Sequence, residues 1–343
     1  MNSSHFLNAT RASAPASGGP LPMHIFIGTW ELICGLVGAL GNGFVMHSSM
    51  TMFQDESQDP HHHIFIFSLT LANLIFNVVH CPMMFAHYLL DLPLNATYCN
   101  ILYFFTHLAT VAASLSLLWI NLNKFLLWKR TDTTGTVTQL DLSSHRLLTF
   151  IITAWFVSIG WAFFFVFGPM TQMGSSGACA VHVTNPMLYI NFVLVFFLIP
   201  ISTSLLISIY IFFAARAETK RRIYIAAMRL EELAYYRASS ISDSVSYEDY
   251  EAPTAAEYIE QEVLARAPSG VGFVLITTVW SAFTCLPYRL AFIWYMMQPQ
   301  PLVARVSFGL FSLMITNPTG VPFITILSLK EYRKKAKELL KGR

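Results

Sequence analysis

Apolar residues along the chain gather into seven blocks, separated by stretches that are polar, charged or rich in Pro and Gly. The blocks run over Ile25–Met50, His63–Leu90, Tyr98–Leu127, Leu147–Pro169, Met187–Ala215, Val271–Met297 and Val303–Leu327. Each reaches the roughly 20 residues that a helix needs to cross the hydrocarbon core of a bilayer. Lipid offers an open backbone no hydrogen-bond partner, so each block is read as a helix whose backbone groups satisfy one another. The pattern predicts an all-α membrane protein: a seven-transmembrane helix bundle over residues 25–329, a polar N-terminal segment over 1–24, and a tail over 330–343. Residues 1–20 have no apolar core of their own, so the first span serves as the insertion signal.

Composition agrees with this reading. The 343 residues are 55% hydrophobic and 12% charged, against roughly 25% charged in soluble domains. Charge gives the orientation. Of the 21 Lys and Arg, 18 fall between Lys124 and Arg146, between Arg216 and Arg266, or from Lys330 onward, and such basic segments face the cytoplasm. The N-terminus then faces out, and so do the Asn-x-Ser/Thr sequons at Asn2, Asn8 and Asn95, as glycosylation requires. Cys99 and Cys179 fall on the same oxidising side, where a disulfide between them would persist; the plain alternative is two unrelated thiols. Cys34, Cys81 and Cys285 read as small buried hydrophobes.

A set of residues in order along the spans resembles the rhodopsin-like (class A) G-protein-coupled receptors. Gly41-Asn42 is similar to that family's first-helix asparagine pair, Leu71-Ala72-Asn73 to its second-helix motif, Trp155 to its fourth-helix tryptophan and Pro200 to its fifth-helix proline. Asn317-Pro318 resembles the start of its seventh-helix motif, and Cys99 stands 25 residues before Lys124, as the bridge cysteine stands before the third-helix arginine. The resemblance implies a plasma-membrane receptor for an extracellular ligand, with heterotrimeric G protein and arrestin as cytoplasmic partners, no cofactor and no nucleic acid.

The departures fall on the switch positions. Asn73 replaces the family's aspartate, removing the charged ligand of a buried sodium ion. Asn123-Lys124-Phe125 replaces Asp-Arg-Tyr, exchanging a planar five-donor fork for a point charge. Cys285, two residues before Pro287, stands where the family has tryptophan, and Val321 where it has tyrosine. Asn123, Lys124, Phe125, Cys285, Pro287, Asn317 and Pro318 are thus the expected coupling residues. Their chemistry leaves two outcomes open: ligand-driven coupling, or a receptor-like protein with constitutive or no G-protein signalling.

Prolines at 82, 200, 287 and 318 interrupt spans and free backbone carbonyls, bending the helices around a polar cavity. Arg289 lies eight residues before Met297, about 12 Å deep at 1.5 Å per residue, and a charge at such depth marks a candidate site. If the family geometry holds, Thr106, His107 and Thr110 of the third span share that outer half. His80, Asn191 and Tyr288 do so too. Thr106 stands where amine receptors carry aspartate and cannot pair with an ammonium. Glu31 is the only carboxylate within a span. Arg289 and the histidines therefore favour a peptide or an anionic or carbonyl-rich ligand over an amine, unless Glu31 and Arg289 neutralise each other. Retinal attachment needs an amine inside the bundle, and every lysine falls at a cytoplasmic end.

On the cytoplasmic side, the connection over 216–268 starts as an amphipathic extension of the fifth helix and continues into an acidic, hydroxyl-rich half expected to be disordered, with Ser240, Ser242, Ser244 and Ser246 open to phosphorylation. In the tail, Tyr332, Ala336, Leu339 and Leu340 line one face of an interfacial helix that meets membrane lipid. Consecutive side chains diverge, so His61-His62-His63 is not a metal site. Enzyme motifs are lacking, and a small transporter is the remaining rival from another class; the seven unequal spans lack the paired halves usual in transporters.

Overall fold

The computed structural model describes residues 21–53, 60–90, 95–134, 144–168, 171–173, 181–240, 270–298 and 300–341. The first span is the helix Leu21–Phe53. The second is Pro60–Ile75, continued through a π-helical turn at Phe76–His80 into Cys81–Leu90. The third and fourth are Ala96–Thr134 and Ser144–Phe167. The fifth begins at Pro186–Val193, passes a second π-helical turn at Leu194–Leu198, and runs on as Ile199–Ser240. The sixth and seventh are Val271–Met297 and Pro301–Ser328, and a terminal helix follows at Lys330–Leu340. A two-stranded antiparallel ladder, Thr171–Met173 against Val181–Val183, lies between the fourth and fifth spans. Among the described residues seven helices are long and apolar enough to cross a membrane, at the positions the hydropathy pattern predicts.

The bundle is apolar outside and sets polar side chains among the apolar clusters of its interior. Phe156, Leu206, Phe213 and Leu327 are exposed, while Asn42, Ser68, Asn73, Asn77, Asn121 and Thr278 are buried. On a soluble protein such a surface would be one large interaction patch; around span-length helices it is the face that meets hydrocarbon. The third span is central, packed against the second, fourth, fifth and sixth. Ser68 links this centre to its neighbours, its Oγ standing 2.9 Å from Ser116 Oγ and accepting from Trp155 Nε1 at 3.1 Å.

The prolines shape the spans as elementary backbone chemistry requires. Each lacks an N–H and crowds the carbonyl four residues earlier, so the ladder must widen or find other donors. The two π-turns end just before Cys81-Pro82 and Ile199-Pro200. At Pro200 the freed carbonyl belongs to Phe196, and Ser114 Oγ of the third span donates to it at 2.9 Å. Pro322, a further helix proline, frees the carbonyl of Pro318, to which Asn42 Nδ2 of the first span donates at 2.7 Å. The first and seventh spans meet closely there, because a Cβ on Gly41 would come within 2.8 Å of Pro322 Cγ. Gly270, at φ 84°, turns the chain into the sixth span.

The terminal helix departs from its expected role in one respect. Tyr332 is fully buried rather than part of the lipid-facing stripe, with its hydroxyl 2.8 Å from Ser49 Oγ and 3.0 Å from His63 Nδ1. Leu339 and Leu340 remain exposed.

Candidate functional site

Two polar arrangements occupy the bundle. The first joins the first three spans. The π-turn ending at His80 carries that imidazole inward, where Nδ1 lies 2.8 Å from Thr106 Oγ1 and Nε2 lies 3.9 Å from Glu31 Oε1. Thr106 donates to the Leu102 carbonyl at 2.6 Å, so its oxygen accepts from His80. Glu31 is 1% exposed and the one buried carboxylate among the described residues. It faces His80; no ion pair joins it to Arg289, so neutralisation of those two across the bundle is not what this geometry provides.

The second arrangement centres on Arg289 of the sixth span, which is 4% exposed. Its guanidinium carbon sits 4.0 Å above the Phe197 ring and 5.4 Å from the Tyr288 ring centroid. The residue borders a cavity of about 50 Å³ at mid-bundle, shared with Asn73, Thr110, Ser114, Ser281, Cys285 and Asn317. The small Cys285 side chain leaves open the space that an indole would fill. Thr110 donates to the Thr106 carbonyl at 2.7 Å, and Tyr288 stacks toward Phe311 with centroids 5.2 Å apart.

Two expected site residues lie elsewhere. His107 is buried against the fourth span, its ring 3.7 Å from the Phe165 centroid and edge-on to Trp161 at 6.0 Å. It packs on an aromatic interface with the fourth span while staying within electrostatic range of Arg289. Asn191 is exposed on the second turn of the fifth span, while Tyr189, two residues earlier, is buried.

The switch positions divide likewise. Asn317 Nδ2 donates to Thr284 Oγ1 at 2.8 Å, joining the seventh span to the sixth, while Pro318 and Cys285 line the cavity and Pro287 sits inside the continuous sixth helix two residues beyond Cys285. Asn121 Nδ2 donates to Thr278 Oγ1 at 3.1 Å, joining the third to the sixth. No motif marks Thr278, Thr284 or Asn121 in the sequence, although hydroxyls and amides at mid-span are a signal of such links. Asn123, Lys124 and Phe125 stand half-buried at the inner end of the third span, where Phe125 meets Tyr210 edge-on with centroids 5.9 Å apart. Cys99 is buried and disulfide-bonded, whereas its expected partner Cys179 lies outside the described residues. Asn2, Asn8, Ser242, Ser244 and Ser246 lie outside them too. Asn95 is exposed and caps the third helix, its Oδ1 accepting from Tyr98 N at 2.8 Å.

The family model described as 7 transmembrane receptor (rhodopsin family) matches residues 41–324. Among curated proteins none matches the chain. Of solved structures, the crystal structure of squid rhodopsin is similar at a TM-score of 0.66 and 15% identity, with 94% of this chain and 87% of that one covered. At that identity the likeness speaks for the fold alone.

Proposed function

The chain belongs to the rhodopsin family of seven-transmembrane receptors, and from that premise we propose that it carries an extracellular signal across the plasma membrane to heterotrimeric G proteins, with arrestin as a second partner. Its ligand is a peptide or an anionic or carbonyl-rich small molecule rather than a biogenic amine. As a member of this family the protein is a multi-pass membrane receptor and not an enzyme.

One observation carries the ligand class: the disposition of buried charge. An ammonium ligand needs a carboxylate inside the bundle, since a charge moved out of water must be paired. The one buried carboxylate, Glu31, faces His80, and Thr106, where an amine receptor would place its acid, is bonded to His80 and Leu102. Arg289 is the one buried guanidinium or ammonium group among the described residues. An anionic or carbonyl oxygen arriving from outside meets that positive field, with Tyr288 beside it.

The test is a ligand panel read by arrestin recruitment and, separately, by nucleotide exchange on G protein. Peptides or carboxylated molecules are expected to give saturable responses. Arg289→Ala is expected to weaken an anionic hit by more than tenfold, about 1.4 kcal/mol, with surface expression retained. A saturable, competable response to an amine overturns the ligand class. A second reading, constitutive or absent coupling, is favoured by the Lys124 and Cys285 departures together with the direct Asn317–Thr284 and Asn121–Thr278 bonds; basal exchange that no ligand alters supports it.

A further inference from the structure

We propose that the mid-bundle cavity beside Arg289 binds a small monovalent anion, chloride or a halide of similar size, as the counter-charge of the guanidinium. The proposal goes beyond the ligand reading and stands without it: halide is the counter-charge when no anionic ligand is bound, and the two compete for the same guanidinium.

Three observations lead there. Arg289 is buried at 4% exposure, and buried charges are paired or they destabilise the fold. Ion pairs among the described residues include Glu218 with Arg221 and Glu338 with Lys334 and Lys335; none joins a carboxylate to Arg289, and Glu31 lies 3.9 Å from the His80 imidazole instead. The Phe197 face below the guanidinium offers cation–π attraction, which favours the cation but does not neutralise it.

The cavity has the right size and the right polarity. At about 50 Å³ it exceeds the roughly 10–15 Å³ that one water occupies by the same measure, so an ion with a water or two fits. A ligand needing some hundreds of Å³ does not. No acidic residue lines it. Thr110 and Ser114 spend their single O–H on Thr106 and Phe196, and Asn317 spends one of its two N–H groups on Thr284, leaving the other to donate. Asn73, 3% exposed, has an amide nitrogen with no partner. What the cavity lacks is negative charge to set against the guanidinium. A cation there would have only neutral oxygens for ligands and would be repelled by Arg289, so the sign of the guest is fixed by the wall.

The experiment uses the full chain in lipid nanodiscs, purified throughout in gluconate, with chloride titrated at constant ionic strength. Binding to the folded state alone raises the unfolding temperature with ligand concentration. A saturable rise is expected, half-complete below the physiological level of about 0.15 M, unchanged when sodium is replaced by choline, reproduced by bromide and absent with sulfate. Asn73→Asp places a carboxylate in the same cavity and is expected to remove the halide dependence; Arg289→Gln is expected to do the same. If Arg289→Gln does not fold, Asn73→Asp still decides. The proposal is overturned by an unfolding temperature flat to halide, by one that follows sodium instead, or by a halide effect undiminished in Asn73→Asp.

Discussion

A proline inside a helix leaves the carbonyl four residues earlier without its usual donor, and two such carbonyls are taken up here by side chains of neighbouring spans. Ser114 serves Phe196 below Pro200, and Asn42 serves Pro318 below Pro322. Removing either donor leaves a buried acceptor unsatisfied, at about 1–3 kcal/mol. Ser114→Ala is therefore expected to lower the unfolding temperature measured in nanodiscs. Pro200→Ala restores an N–H at the source, so in the Pro200→Ala background the same serine change should cost less, a coupling that a double-mutant cycle reads directly. Strict additivity would refute the pairing. Asn42 and Pro200 are readable in sequence as motif positions; Ser114 is not. Serines and threonines in helices commonly bond their own preceding turn, as Thr110 and Thr153 do. Which of them crosses to a neighbour depends on the rotation of the helix. That rotation also sets Thr106 toward His80 and Thr110 toward the cavity, and His107 against the aromatic side chains of the fourth span.

At the scale of the element, hydropathy alone places the seven spans, because the requirement for a bonded backbone in lipid leaves a run of that length few alternatives. The two π-turns and the anchoring of the terminal helix are tertiary outcomes and have no comparable local signal. Tyr332 is the instructive case. Its spacing with Ala336, Leu339 and Leu340 suits a lipid-facing stripe, yet it docks between the first and second spans. Burial pushes its phenol upward from the ordinary value, so it remains a donor at neutral pH. Ser49 gives its proton to Val45, leaving one consistent chain: His63 donates to Tyr332, and Tyr332 to Ser49. Tyr332→Phe keeps the ring and removes the chain. The expected result is faster amide exchange over 330–340 and a loss of about 1–3 kcal/mol, with exchange elsewhere unaffected. Equal protection in both proteins would mean that apolar packing alone holds the helix.

For the whole molecule, the question is how the spans move together. The sixth span is tied to the third by Asn121 and Thr278, and to the seventh by Asn317 and Thr284. If coupling moves the sixth span, these ties are the ones it would exchange, and the family's usual residues are absent at Lys124 and Cys285. Cys285→Trp fills the central space, and Lys124→Arg restores the donor fork. If the departures attenuate coupling, the double variant is expected to raise ligand-driven nucleotide exchange at least tenfold, about 1.4 kcal/mol, at equal surface expression. No change in exchange would place the restraint elsewhere, with Asn73 as the next position to test. The hollow beside Cys285 has one more consequence. A void of this kind makes a folded protein respond to compression, because hydrostatic pressure favours whichever arrangement has the smaller volume. Squeezing this receptor should therefore shift it toward conformers in which the sixth and seventh helices close over that gap, and plugging the gap with an indole should make it stiffer.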